Sequence, residues 1–145
     1  VGTGADIPMR DVRIFLWDID RKEKVKEIYP VKGAKTIVSI KWYNDLIYGL
    51  CNEGSLFIYD YTNDQIKAVK QLPINHANWP GMDITTKGIV YGTGDNKLFR
   101  YDVEKDQFDV VAETSDWLLG FCMDKENNKI YGSPGVRLVW YDIKD

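Results

Sequence analysis

Short apolar runs alternate with clusters of Asn, Asp, Gly and Thr along the whole chain, and no stretch keeps its apolar residues at helical spacing. The runs predict strands over 12–18, 24–29, 36–42, 46–51, 55–61, 65–72, 88–92, 97–103, 107–113, 117–124, 129–133 and 137–143, with another beginning near Gly81. The polar clusters between them are Tyr43-Asn-Asp, Asn52-Glu-Gly and Thr62-Asn-Asp, built from residues that tolerate turn dihedrals. Residues 21–28 have a helix-friendly composition, but they follow Trp17-Asp18 and a turn, and that position predicts a strand.

The pattern repeats. Tyr48-Gly-Leu-Cys-Asn-Glu-Gly-Ser-Leu-Phe-Ile-Tyr-Asp60, Tyr91-Gly-Thr-Gly-Asp-Asn-Lys-Leu-Phe-Arg-Tyr-Asp102 and Tyr131-Gly-Ser-Pro-Gly-Val-Arg-Leu-Val-Trp-Tyr-Asp142 are three copies. Val1-Gly-Thr-Gly and Arg13-Ile-Phe-Leu-Trp-Asp18 form a looser fourth. The closing Asp falls at 18, 60, 102 and 142, so the period is 42, 42 and 40 residues. A period of this length without helical signals predicts propeller blades, each of four antiparallel strands with the innermost first. Repeats of about 1–30, 31–73, 74–114 and 115–145 make one all-β domain of about three and a half blades. The aspartates are expected to cap the hairpin that follows rather than to catalyse. Four carboxylates in one repeat position belong to four different blades and cannot converge as a catalytic pair must.

Over nearly its full length the chain resembles the β-propeller superfamily. The Trp17-Asp18 ending and the 42-residue period are similar to WD40 repeats, although the only His, His76, follows Asn75 and no repeat carries Gly-His. Tyr-Gly followed by Leu-Phe-x-Tyr-Asp resembles the quinoprotein, YVTN-type and lactonase-like blades. The first repeat opens on a second strand and the last closes on a third. That phase predicts a portion of a longer propeller, with self-association to complete a ring as the alternative.

Composition narrows the partners. Apolar content of 44% and charge of 28% are globular values, and the net charge of −3 argues against nucleic acid. No apolar run approaches the roughly 20 residues of a membrane-spanning helix. Cys51 and Cys122 fall in different strand positions two repeats apart, and both are expected to be small buried hydrophobes rather than a disulfide. One His and no closely spaced Cys pair predict no metal site, no catalytic residue and no cofactor.

The resemblance implies a ligand face made by two sets of loops. One set joins each outer strand to the next inner strand, and the other joins second to third strands. On that face lie Asn75, His76, Asn78, Trp79, Ser115, Asp116 and Trp117, with Glu53 and Asp95 in matched second-to-third turns. Trp79 and Trp117 occupy similar places in adjacent repeats. Exposed indoles beside amides and carboxylates are what a sugar ring and its hydroxyls require, while the competing reading has both indoles filling gaps between blades. His76 reads as an exposed loop residue with no orienting partner at fixed spacing. The first expectation is therefore a non-catalytic module whose loops bind a protein or a carbohydrate. The alternative is a lactonase- or lyase-like enzyme in which Glu53, Asp95 and Asp116 hold a divalent cation.

Overall fold

A computed structural model describes residues 11–144. Among these are thirteen strands and no helix. They are β1 (Ile14–Asp18), β2 (Glu23–Ile28), β3 (Ile37–Tyr43), β4 (Leu46–Cys51), β5 (Ser55–Asp60), β6 (Gln65–Gln71), β7 (Ala77–Ile84), β8 (Val90–Gly94), β9 (Lys97–Asp102), β10 (Gln107–Glu113), β11 (Leu118–Asp124), β12 (Lys129–Pro134) and β13 (Val139–Asp142). The expected strands are all present in the described region, with ends shifted by a residue or two except at β7. The opening copy Val1-Gly-Thr-Gly lies outside the described residues.

The strands form four antiparallel sheets, each a meander of sequence neighbours: β1-β2, β3-β4-β5-β6, β7-β8-β9-β10 and β11-β12-β13. The turn chemistry explains the connections. Asn44 and Asp45 both have positive φ (47° and 59°), as do Asp95 and Asn96 (53° and 73°), so each pair makes the two-residue turn whose twist matches a hairpin. Three of the four closing aspartates act as expected of them, and the residue three past Asp142 lies outside the described residues. Asp18, Asp60 and Asp102 each accept a hydrogen bond from the backbone N–H three residues on, at 2.9, 2.9 and 3.2 Å.

The sheets stack face to face through three apolar clusters. Leu50, Leu56 and Ile58 meet Met82, Val90 and Phe99 between the second and third sheets. Ile14 and Ile28 meet Ile37, Phe57 and Tyr59 between the first and second. Tyr91 and Leu98 meet Leu118 and Ile130 between the third and fourth. Every residue of β5 and β8 is buried, because these strands are covered on both faces; β6 and β10, at the outer edges, keep exposed positions. Full burial of a side chain such as Phe57 or Phe99 contributes about 1.5–3 kcal/mol.

Polar bridges accompany the stacking. The first strands of successive sheets, β3, β7 and β11, lie side by side. Ser39 Oγ donates to Met82 O at 3.2 Å, and Asn78 Nδ2 donates to Leu118 O at 3.0 Å. Asp83 stands between Lys41 at 3.3 Å and Lys125 at 3.2 Å. A second device repeats at the outer strands. Asp64 and Asp106, both in hairpin turns at positive φ (55° and 53°), accept the hydroxyl of their own sheet's Tyr59 or Tyr101 at 2.7 and 2.6 Å. Each also pairs with a lysine of the preceding sheet: Lys26 with Asp64, and Lys70 with Asp106 at 2.6 Å. The lysine, ahead of the tyrosine hydroxyl, holds each carboxyl below its ordinary range.

The cysteines are free and differ from each other. Cys51 is buried as expected. Cys122 is exposed on β11, contrary to expectation, because no further sheet covers that side of β11 among the described residues. No helix of the described chain is long and apolar enough to cross a membrane.

Candidate functional site

Antiparallel meanders sort the connections to two ends of the sheets. One end collects the links between sheets, 72–76 and 114–117, and the turns at 52–54, 95–96 and 135–138. These segments are fastened to one another. Ala77 N donates to Asn52 O at 2.7 Å, Asp95 N to His76 O at 3.0 Å, and Thr114 N to Asn96 O at 3.0 Å. The result is one continuous rim carrying most of the residues singled out by sequence.

Asp95 and His76 come together at the second link. Asp95 Oδ2 accepts from Asn75 N at 2.7 Å and from Asn75 Nδ2 at 3.3 Å, while Oδ1 accepts from His76 N at 3.0 Å. His76 Nδ1 lies 3.6 Å from the same Oδ1, beyond hydrogen-bond distance, and its side chain is exposed. Both carboxylate oxygens are thus engaged with the link backbone, and Asp95 latches the β8–β9 turn to it. Glu53 belongs to the preceding turn, where its carbonyl accepts from Gln71 Nε2 at 2.7 Å.

Asn78 and Trp79 are both corrected from loop to strand. β7 begins at Ala77 and reaches across Pro80 through an irregular stretch between Ala77 and Met82. The side chain of Asn78 is buried, with only 4% of the residue exposed, and bridges to β11. Alternation is lost over this stretch, which is why a strand starting near Gly81 was expected.

Trp79 and Trp117 are both exposed, at 63% and 55%, so neither fills a gap between sheets. Each sits one residue from a partner of the Asn78–Leu118 hydrogen bond, and that bond ties the two indole-bearing segments together. Asp116 is exposed beside Trp117, and its backbone carbonyl accepts from Thr114 Oγ1 at 2.6 Å. Next to it a 390 Å³ depression is lined by Thr114, Ser115, Pro134, Arg137, Leu138 and Val139. Arg137 was expected inside the last strand. β13 starts only at Val139, and this leaves Arg137 exposed in the turn that faces the third link.

Glu53, Asp95 and Asp116 lie on three separate segments of the rim. Among the described residues, no three His, Cys, Asp or Glu side chains are grouped as metal ligands would be.

No protein-family model matches the chain, and no curated protein matches it.

Proposed function

We propose that the four sheets are consecutive blades of a β-propeller and that the chain is a non-catalytic binding module. The stacking of meander sheets with their first strands side by side supports the propeller reading. Its ligand rests on the rim that carries Trp79 and Trp117, and the ligand class is carbohydrate. The observation that carries this reading is the pair of exposed indoles flanking one inter-sheet hydrogen bond, on segments fixed by that bond. An indole face offers a sugar ring flat apolar contact, while Asp116 next to Trp117, and Ser115 and Arg137 lining the depression, offer acceptors and donors for hydroxyls.

A protein ligand is the second reading. Leu138, in the wall of the same depression, and Trp140, further along β13, add exposed apolar surface (71% and 63%), and aromatic and Arg side chains anchor protein interfaces.

Glycan-array binding followed by tryptophan-fluorescence titration of the best glycan tests the first reading. Trp79→Ala and Trp117→Ala are each expected to weaken binding about tenfold or more with the fold intact. A blank array, together with a protein captured by the wild type and lost by Trp140→Ala, moves the assignment to the second reading. Turnover of a small substrate by the purified chain sinks both.

A further inference from the structure

The other end of the sheets carries a cleft of 610 Å³ between the second and third sheets. The three gaps between sheets allow it to be compared position by position. In the first gap, Lys26 stands opposite Leu16, two residues before Asp18, and closes the gap through its ion pair to Asp64. The matching residue of the third sheet is Asp109, opposite Arg100, and the two form an ion pair at 3.4 Å. The matching residue of the second sheet is Ala68, opposite Ile58. It has no side chain that can bridge. The lysine that reaches the third sheet from β6 is instead Lys70, two residues further along. Across the gap, Val103 follows Asp102 where the larger Tyr61 follows Asp60. The facing turn is also longer, running from Thr85 to Ile89 where the preceding sheet has only Asn44 and Asp45. Two small residues and one extended turn thus open a cleft at a place that the first gap closes with Lys26.

The lining sets the ligand's chemistry. Leu46, Ile58, Ala68, Ile89 and Val103 make an apolar floor. Tyr43 and Tyr48 form an edge-to-face pair with centroids 6.5 Å apart in one wall. Tyr43 is held in place by its hydroxyl, which donates to Thr86 O at 3.0 Å. At the mouth, Lys105 is taken by Asp102 at 3.1 Å. Lys67 and Lys87 have no carboxylate within ion-pairing distance among the described residues, and Glu104 has no cation, although Lys67 acts electrostatically on Asp60 and Glu104 on Tyr48. Two cations and one anion without a close ion pair leave the mouth a small excess of positive charge, which favours a monoanion over a dianion. The volume falls within the roughly 300–1,000 Å³ of small-molecule sites.

We infer that this cleft is a binding site for a small aromatic monocarboxylate, its ring on the Ala68–Val103 floor against Tyr48 and its carboxylate between Lys67 and Lys87. The site is at the opposite end from the indole rim and stands independently of the carbohydrate reading.

The test is NMR titration of the chain with 1-naphthylacetate and with its neutral amide. Amide shifts centred on Ala68, Gly88 and Val103 are expected with the acid, and the neutral amide is expected to bind about tenfold more weakly. Ala68→Lys, which installs the residue used in the first gap, is expected to abolish binding. Lys87→Gln is expected to weaken the acid while leaving the amide unchanged, and it decides the matter should Ala68→Lys not fold. The inference is overturned by an absence of binding, by shifts centred elsewhere, by equal affinity for acid and amide, or by undiminished binding to folded Ala68→Lys or to Lys87→Gln.

Discussion

The ring of Phe57 covers Gly49 so closely that a Cβ built on the glycine would lie 2.0 Å from Cζ of the ring. The two residues are directly paired across β4 and β5, and Phe57 is fully buried. The same contact recurs between Gly92 and Phe99, where the added Cβ would lie 2.4 Å from the ring and 2.6 Å from the backbone oxygen of Gly81. In the Tyr48-Gly49 and Tyr91-Gly92 copies the glycine is therefore the space that its partner's aromatic ring occupies.

Gly49→Ala is accordingly expected to destabilise the protein by about 1–3 kcal/mol, because a buried ring between two sheets has nowhere to turn. Gly132→Ala is expected to cost less. Its cross-strand partner is Val139, and the nearest atom is the end of the Leu118 side chain at 2.9 Å. Urea unfolding of the two variants at unchanged m-value measures the difference; equal midpoints would refute the ring-over-glycine account.

Asn78 and Trp79 are neighbours with opposite roles, and substitution separates them. Asn78→Ala removes the donor to Leu118 O in a buried site and is expected to cost about 1–3 kcal/mol, since the carbonyl loses its partner. Trp79→Ala acts at an exposed surface and is expected to stay within about 0.5 kcal/mol of the wild type. Denaturant titration of both variants checks this, and the reverse order of stabilities would overturn the assignment of Asn78 to structure.

How much of this could be read from the chain depends on how local each feature is. The hairpins were legible because Asn44-Asp45 and the Asp60 and Asp102 turns carry their own dihedral preferences and caps. The role of Asn78 was not, because an irregular strand crossing Pro80 has no period to read. Nor were the Lys26–Asp64 and Lys70–Asp106 pairs, which join different sheets from different strand positions. The cleft at Ala68 was hidden for a related reason: small residues announce an opening only when the bulk around them is placed. The rim residues Trp117 and Asp116 were legible as loop differences between repeats; Trp79 stood out in the same way but lies inside β7, and Arg137 was concealed by a strand expected to begin two residues too early.

Acid is expected to weaken the fold over a defined range. Glu27 is held down to about 2, first by Lys24, then by the Tyr29 hydroxyl and Arg13. Asp60 and Asp124 are lowered mainly by Asn63 and Asn127, and Asp102 mainly by Lys105. Asp64 and Asp106 are lowered by the lysines of the preceding sheet. A carboxylate whose folded pKa lies below its unfolded value leaves more protons on the unfolded chain, so stability rises with pH through the interval between the two. The contribution is complete above the ordinary carboxylate range and is lost as pH falls from about 4.5 toward about 2. Melting temperatures across that interval should fall steeply in the wild type and less steeply in Glu27→Gln. Identical slopes would show that the Glu27 cluster adds nothing.

Thiol chemistry provides the last test, because the two cysteines sit in opposite environments. Cys51 is fully buried in the cluster between the first and second sheets, and burial pushes its thiol up to about 12. The thiolate is the reacting species, so Cys51 is doubly protected, by access and by protonation. Cys122 is exposed on β11. An aromatic disulfide reagent at neutral pH is expected to titrate Cys122 rapidly in the native chain and Cys51 only as fast as the sheets open. Cys122→Ser should abolish the fast phase and leave the slow one, whose rate should rise with urea in step with unfolding. A fast phase that survives in Cys122→Ser would mean that the first and second sheets separate readily in the native state, and that the cluster around Phe57 and Cys51 does not hold them together.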